Sequence, residues 1–228
     1  SSDLFDFVHD LVLYLHRNNL FKYIEIYVQK VNPARTPAVV GALLDVDCDE
    51  ATIKALLASV QRSATVGVDA LVAEVEKRNR LKLLLPWLEL KVKEGSADTA
   101  VYNALAKIYI DTNNNAEAFL KENKLYDPKI VGKYCEKRDP YLAYVAYVQG
   151  QCDLELIQIT NQESMFKHQA RYLVKRRNKD MWAIVLADTN QYRRAVIDQV
   201  VATALPETQD PEDVSTTVKA FMEAQIPT

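Results

Sequence analysis

Residues 4–31 read LFDFVHDLVLYLHRNNLFKYIEIYVQKV, and their apolar positions decide the fold. Leu4, Val8, Leu11, Val12 and Leu15 recur at intervals of three and four, as do Leu20, Tyr23, Ile24, Tyr27, Val28 and Val31. That spacing follows one face of a 3.6-residue helix, and only a short turn around Asn18 separates the two segments. A helix joined to the next by so short a turn must fold back on it, so the unit is an antiparallel helical hairpin of roughly 30 residues.

The pattern returns in Ile53, Leu56, Leu57 and Val60, in Val68, Leu71, Val72 and Val75, in Leu81, Leu84, Leu85 and Leu88, and in Tyr102, Leu105, Ala106 and Tyr109. It predicts roughly fifteen helices in about seven hairpins, an all-α solenoid, elongated and superhelical, that occupies residues 1–228 as a single segment. Composition agrees. Glycine is only 5 of 228 residues, about 2% where soluble proteins average roughly 7%, too little for sheet turns and phosphate loops. Helix starts are expected at Asp127-Pro128, Asp139-Pro140 and Asp210-Pro211, where Asp caps free amides and Pro suits the first turn. Pro86 predicts a kink or restart, and short loops are expected near Ser63–Gly67, Asn113–Asn115 and Pro206–Asp210.

A faint repeat accompanies the hairpins: Arg17-Asn18, Arg78-Asn79 and Arg138-Asp139 recur about 60 residues apart, with Arg177-Asn178 off-register. The basic residue suits a helix C-terminus and the Asn or Asp suits the turn or the next N-cap. In the first helix Phe7, Leu13 and Tyr14 lie off the main apolar face, and a helix apolar nearly all round is buried on two sides. The chain is therefore expected to be a piece of a longer array, whose end repeats would carry polar caps.

The net charge of −3 gives no global field to attract nucleic acid or an anionic membrane. No run of about 18 apolar residues occurs, no secretory leader and no Asn-x-Ser/Thr acceptor, so neither secretion nor a membrane span is expected. Cys48, Cys135 and Cys152 are odd in number without Cys-x-x-Cys spacing, and read as reduced, buried thiols. Asp45, Asp47 and Asp49 imitate the start of a calcium loop, but Glu50 replaces its glycine and Leu56 its bidentate Glu, so Asp49 and Glu50 read as the start of a helix. His9 and His16 are two turns apart, too far for a helical metal pair, and His168 has no nucleophile in a recognisable motif. Glu74 and Glu76 read as solvated charge on different helix faces. With no nucleotide, hydrolase or zinc-protease motif, no enzymatic activity, cofactor or metal is expected.

Arg171, Lys175, Arg176, Arg177 and Lys179, followed by Arg193 and Arg194 with Tyr172 and Tyr192 interleaved, form the densest basic cluster. It reads as a solvated helix face, and Arg171, Lys175, Arg176, Arg177 and Lys179 are the candidate partner surface. Tyr141, Tyr144 and Tyr147 form an aromatic ridge, expected to pack between hairpins with each hydroxyl reaching solvent or backbone.

Longer strings carry a resemblance: KYIEIYVQKVNP at 22–33, LLDVDC at 43–48, LVAEVEKRNRLKLLLPWLE at 71–89, NALAKIYID at 103–111, GKYCEKRDP at 132–140, GQCDLELI at 150–157, IDQVV at 197–201 and TVKAFM at 217–222. On these the chain resembles the clathrin heavy-chain family, least so at 61–68 and 176–181. The resemblance implies a stretch of the distal leg, between the β-propeller and the knee. In that family three heavy chains join as a triskelion, and neighbouring legs pack into the coat on the cytoplasmic face of coated pits and vesicles. The implied partners are other heavy chains and, secondarily, adaptor or accessory proteins, with the membrane reached only through adaptors; no catalytic residue is carried over. The alternative from a different class is a tetratricopeptide-like module binding peptides, which the missing 34-residue period disfavours.

Overall fold

The computed structural model describes residues 2–63 and 65–226, with side chains from residue 7 onward, and every regular element among them is helical. Ala64, within the expected loop at 63–67, and the side chains of Leu4 and Asp6 lie outside the described residues. The helices gather into two compact units, Ser1–Asn115 with Lys124–Tyr126, and Ala116–Asn123 with Asp127–Thr228.

The first unit contains α1 (Ser2–Arg17), α2 (Phe21–Ile26), α3 (Thr36–Asp45), α4 (Glu50–Ser59), α5 (Val68–Glu76), α6 (Leu85–Lys93) and α7 (Thr99–Asp111). Here α1 packs on α3, α3 on α5 and α5 on α7, while α4 packs on α6. Contact between helices two positions apart is what stacked hairpins produce. The seam is a four-residue aliphatic register: Val8 and Val12, Val39 and Leu43, Leu71 and Val75, and Val101 and Leu105 are all no more than 2% exposed. Each such side chain contributes about 1.5–3 kcal/mol by leaving water.

The second unit contains α8 (Ala116–Glu122), α9 (Pro128–Cys135), α10 (Pro140–Gly150), α11 (Asp153–Gln162), α12 (Phe166–Arg176), α13 (Lys179–Val185), α14 (Arg193–Gln199), the single turn α15 (Leu205–Glu207) and α16 (Pro211–Glu223). A π segment, Val200–Ala204, joins α14 to α15, so the described residues form fifteen continuous helices. Trp182 lies at the centre of the core, with Leu173, Val185, Val196, Val200 and Phe221 around it. The ring of Phe221 meets it edge-on at 5.8 Å, a favourable aromatic geometry.

Helix starts follow the expected chemistry. The carboxylates of Asp127, Asp139 and Asp210 accept from amides two residues on, at 2.9, 3.1 and 3.0 Å, each with Pro in the first turn. Asp49 occupies the N-cap of α4 but makes no bond to a backbone amide; its carboxylate accepts from the Thr52 hydroxyl at 3.4 Å. At Pro86 the chain restarts, passing from a 3-10 turn, Leu81–Leu84, into α6.

Helix ends explain the scarcity of glycine. After α1 the Leu20 amide reaches the Leu15 carbonyl at 2.8 Å and the Asn19 amide reaches His16 at 3.2 Å, with Asn19 left-handed at φ 54°. This Schellman closure recurs at Asp47, Asn79, Asn113, Gln151 and Ser164, so small polar residues mostly occupy the position glycine usually takes. The Arg-Asn echo therefore mixes two jobs, since Asn79 sits in the left-handed turn whereas Asp139 and Asn178 are N-caps. Pro206 does not open a loop as expected. The π segment before it lets the helix run to Glu207, and the loop begins at Thr208, because a π turn breaks the i−4 register in which proline's ring would clash.

Glycine is needed where α9 meets α10: a Cβ on Gly132 would sit inside the Tyr147 ring, and one on Gly150 would overlap Pro128. Gly132→Ala is expected to lose about 1–3 kcal/mol through overpacking. Urea unfolding followed by circular dichroism measures the loss.

Candidate functional site

The basic run is held on α12, the turn after it and the first residue of α13, and the structure gives most of it acidic partners. Arg171 forms a two-pronged pair with Glu207, Nε to Oε2 at 2.8 Å and Nη2 to Oε1 at 2.6 Å. Arg176 reaches Asp153 at 3.1 Å, and the Tyr172 hydroxyl donates to the same carboxylate. Arg177, itself left-handed at φ 53°, bonds Asp213 at 2.7 Å and Asp210 at 2.5 Å. Lys179 pairs with Glu223 at 3.3 Å, both well exposed. Lys175 is exposed and makes no ion pair among the described residues. Arg177 thus works less as a helix-end charge than as a clamp on α16, gripping its N-cap, Asp210, together with Asp213.

The first unit carries the same device. Arg78 spans Asp45, with Nε to Oδ1 at 2.8 Å, and Glu74, with Nη1 to Oε2 at 2.7 Å, while Arg80 pairs with Glu50 and Lys107 with Glu76 at 2.8 Å. The residues joined across hairpins lie 30, 31, 33 and 36 apart for Arg80–Glu50, Lys107–Glu76, Arg78–Asp45 and Arg171–Glu207. Those are one-hairpin intervals, so the pairs act as braces from one repeat to its neighbour. Glu74 is only 9% exposed, which corrects its reading as solvated charge: Arg78 and Lys77 hold it, and the two-residue offset from Glu76 points the two carboxylates at different neighbours. His9 lies 3.5 Å from Asp45, whose carboxyl the Arg78 hydrogen bonds hold below its usual range despite some burial.

The tyrosine ridge splits its partners. Tyr144 donates to a backbone carbonyl, that of His168, as expected, whereas Tyr141 donates to Glu117 at 2.7 Å and Tyr147 to Glu136 at 2.6 Å. Burial, and then the Glu136 carboxylate, push the Tyr147 phenol far above its ordinary value. The His168 ring meets Tyr141 and Tyr144 edge-on at 5.7 and 5.1 Å, and its pKa is lowered by burial and by Arg171 and Lys167. Cys135 and Cys152 are buried thiols, but Cys48, in the turn between α3 and α4, is only partly buried. Among the described residues no cluster of three or more His, Cys, Asp or Glu could hold a metal ion, and no helix is long and apolar enough to cross a membrane.

The sequence reading missed the acidic halves of these braces, Asp153, Glu207, Asp210 and Asp213. Nothing local marks them, because each partner lies 23 to 36 residues away.

Hairpins stacked on aliphatic seams and braced along their polar edges define a helical-repeat protein. The model of the region found in clathrin and VPS matches residues 61–197, more than half of the chain. Over 225 residues, 99% of this chain, the sequence is 65% identical to clathrin heavy chain 2 of Homo sapiens, 65% to clathrin heavy chain of Drosophila melanogaster and 60% to that of Dictyostelium discoideum. The chain belongs to the clathrin heavy-chain repeat family. It spans 14% of the length of the human protein and 13% of each of the other two.

Two outcomes are expected of the braces. Arg78→Met leaves the largely buried Glu74 carboxylate to Lys77 alone and should cost about 2–3 kcal/mol, much of it restored by adding Glu74→Leu, as a double-mutant unfolding cycle would read. Asp213, 3% exposed, is pushed up by burial but pulled further down by Arg177 and the Thr208 hydroxyl. A carboxyl lowered on folding contributes stability above its unfolded pKa of about 3.9 and loses it as pH falls through the depressed folded value. Asp213→Asn should therefore flatten the fall in unfolding free energy below about pH 4, measured by urea titration over a pH series.

Proposed function

We propose that the chain is one stretch of the distal leg of a clathrin heavy chain, a structural scaffold that builds the polyhedral coat of coated pits and vesicles on the cytoplasmic side of the membrane. The observation that carries this reading is the 60–65% identity to clathrin heavy chains along 99% of the chain. In this reading residues 1–228 form a single part of a longer repeat array, and the work is mechanical. Repeats stabilised by their nearest neighbours present a large lateral surface, and many weak lateral contacts to other heavy chains add up to a reversible lattice. No covalent chemistry and no cofactor are involved, and the membrane and adaptor proteins are met only through the assembled coat.

The family match supports this reading over the tetratricopeptide-like peptide binder. Within the basic run, the lateral role falls to Lys175 and Lys179, the first without an ion pair among the described residues and the second in a weak exposed one, because Arg171, Arg176 and Arg177 already brace the repeats.

The test is a chimera in which these 228 residues replace the corresponding stretch of a clathrin heavy chain. Trimers that assemble into cages as the parent does are expected. Folded trimers that fail to form cages would overturn the reading. In the same assay Lys175→Glu with Lys179→Glu should weaken assembly while leaving helicity unchanged.

A further inference from the structure

A small cleft lies between α4 and α6, two helices of the first unit with neighbours on either side in the chain. Leu57, Ala58 and Gln61 line it from α4 and the turn after it, and Leu83, Trp87 and Leu90 line it from the 3-10 turn and α6. Two buried polar atoms on these side chains find no partner among the described residues: the Gln61 carboxamide oxygen Oε1 and the Trp87 indole nitrogen Nε1. Gln61 is 8% exposed and Trp87 3%. A buried polar group without a hydrogen bond bears the full cost of having left water.

The two atoms are complementary. An indole N–H can only donate, and a carboxamide oxygen can only accept. Gln61 Nε2 points at the Trp87 carbonyl, 3.5 Å away, and turning the carboxamide over would set two acceptors against each other, so Oε1 is the end left over. The cleft of about 40 Å³ exceeds the roughly 10–15 Å³ a single water requires and falls far short of the roughly 300 Å³ at which sites for organic molecules begin. Charge narrows the occupant further. Lys54 lines the cleft and Lys91 Nζ lies 5.0 Å from the centre of the Trp87 ring, so a cation is repelled, while the Gln61 oxygen repels an anion. A small neutral group that accepts one hydrogen bond and donates another is what fits.

We propose that one ordered water occupies this cleft, accepting from Trp87 Nε1 and donating to Gln61 Oε1, and so ties α4 to α6. Admitting it takes a small turn of the Gln61 carboxamide, whose hold on the Trp87 carbonyl is already at the far limit of a hydrogen bond. The row α1, α3, α5 and α7 is closed by aliphatic contact, whereas α4 and α6 beside it are joined through solvent.

NMR of the purified chain reads the water directly. The Trp87 indole N–H, assigned by its loss in Trp87→Phe, should show a cross-peak at the water frequency with opposite signs in laboratory-frame and rotating-frame experiments, which a held water gives and chemical exchange does not. Gln61→Met removes one anchor and should abolish that peak, although Lys54 and Lys91, whose exchanging ammonium protons could relay it, remain. A crystal structure should show one density peak within about 2.7–3.2 Å of both atoms. In a double-mutant unfolding cycle, Trp87→Phe should destabilise Gln61→Met less than it destabilises the parent. Circular dichroism of each variant separates a lost bridge from a lost fold, and the parent chain alone decides the first and third measurements. An indole without the peak, a peak that survives Gln61→Met, no density between the two atoms, or full additivity in the cycle would each overturn the bridge.

Discussion

Along the row α1, α3, α5 and α7 each helix must hide one aliphatic stripe, and the helix two positions along the chain is what hides it. Val8 and Val12 meet the layer containing Val39 and Leu43, which in turn meets Leu71 and Val75, and then Val101 and Leu105. Because the seam repeats every four residues on helices joined by short turns, a neighbour is always in reach and never far in sequence. Stability in such a stack comes from nearest-neighbour burial, so each repeat is held by the ones beside it rather than by a distant core.

The charged braces contribute something different. An exposed ion pair adds little to stability, and several of these are more than a third exposed. A two-pronged arginine, however, donates to its carboxylate in one plane and at one separation. Arg171 on Glu207 and Arg78 on Asp45 thereby fix how far one hairpin can slide or rotate on its neighbour. Aliphatic seams permit several registers, and the arginine forks select among them.

What the sequence made legible follows the range of each interaction. Helices, caps and the restart at Pro86 are local, decided by residues within a turn or two, and they appear where the spacing placed them. Departures arise where two local signals compete or where the answer lies a hairpin away. Pro206 looked like a breaker, but the π segment ahead of it absorbs the misfit. Glu74 looked solvated because its i+4 partner Arg78 is local but the surface that covers it is not: both side chains lie against Gly41, on a different helix. The five basic residues singled out as a surface are legible as a local run on α12, the turn beyond it and the start of α13, while the acidic counterparts of four of them come from α11, α15 and α16 and from the loop before α16.

The left-handed residues after the helices carry one more consequence. Asn, Asp, Gln and Ser have fewer backbone states open to them in the unfolded chain than glycine would, so less freedom is surrendered when each reversal forms. Reversals of this kind are half-made before the helices meet, and neighbours are brought together early, over short loops, with little search. A chain punctuated by asparagine rather than glycine trades suppleness at its corners for quick and unambiguous folding of each pair.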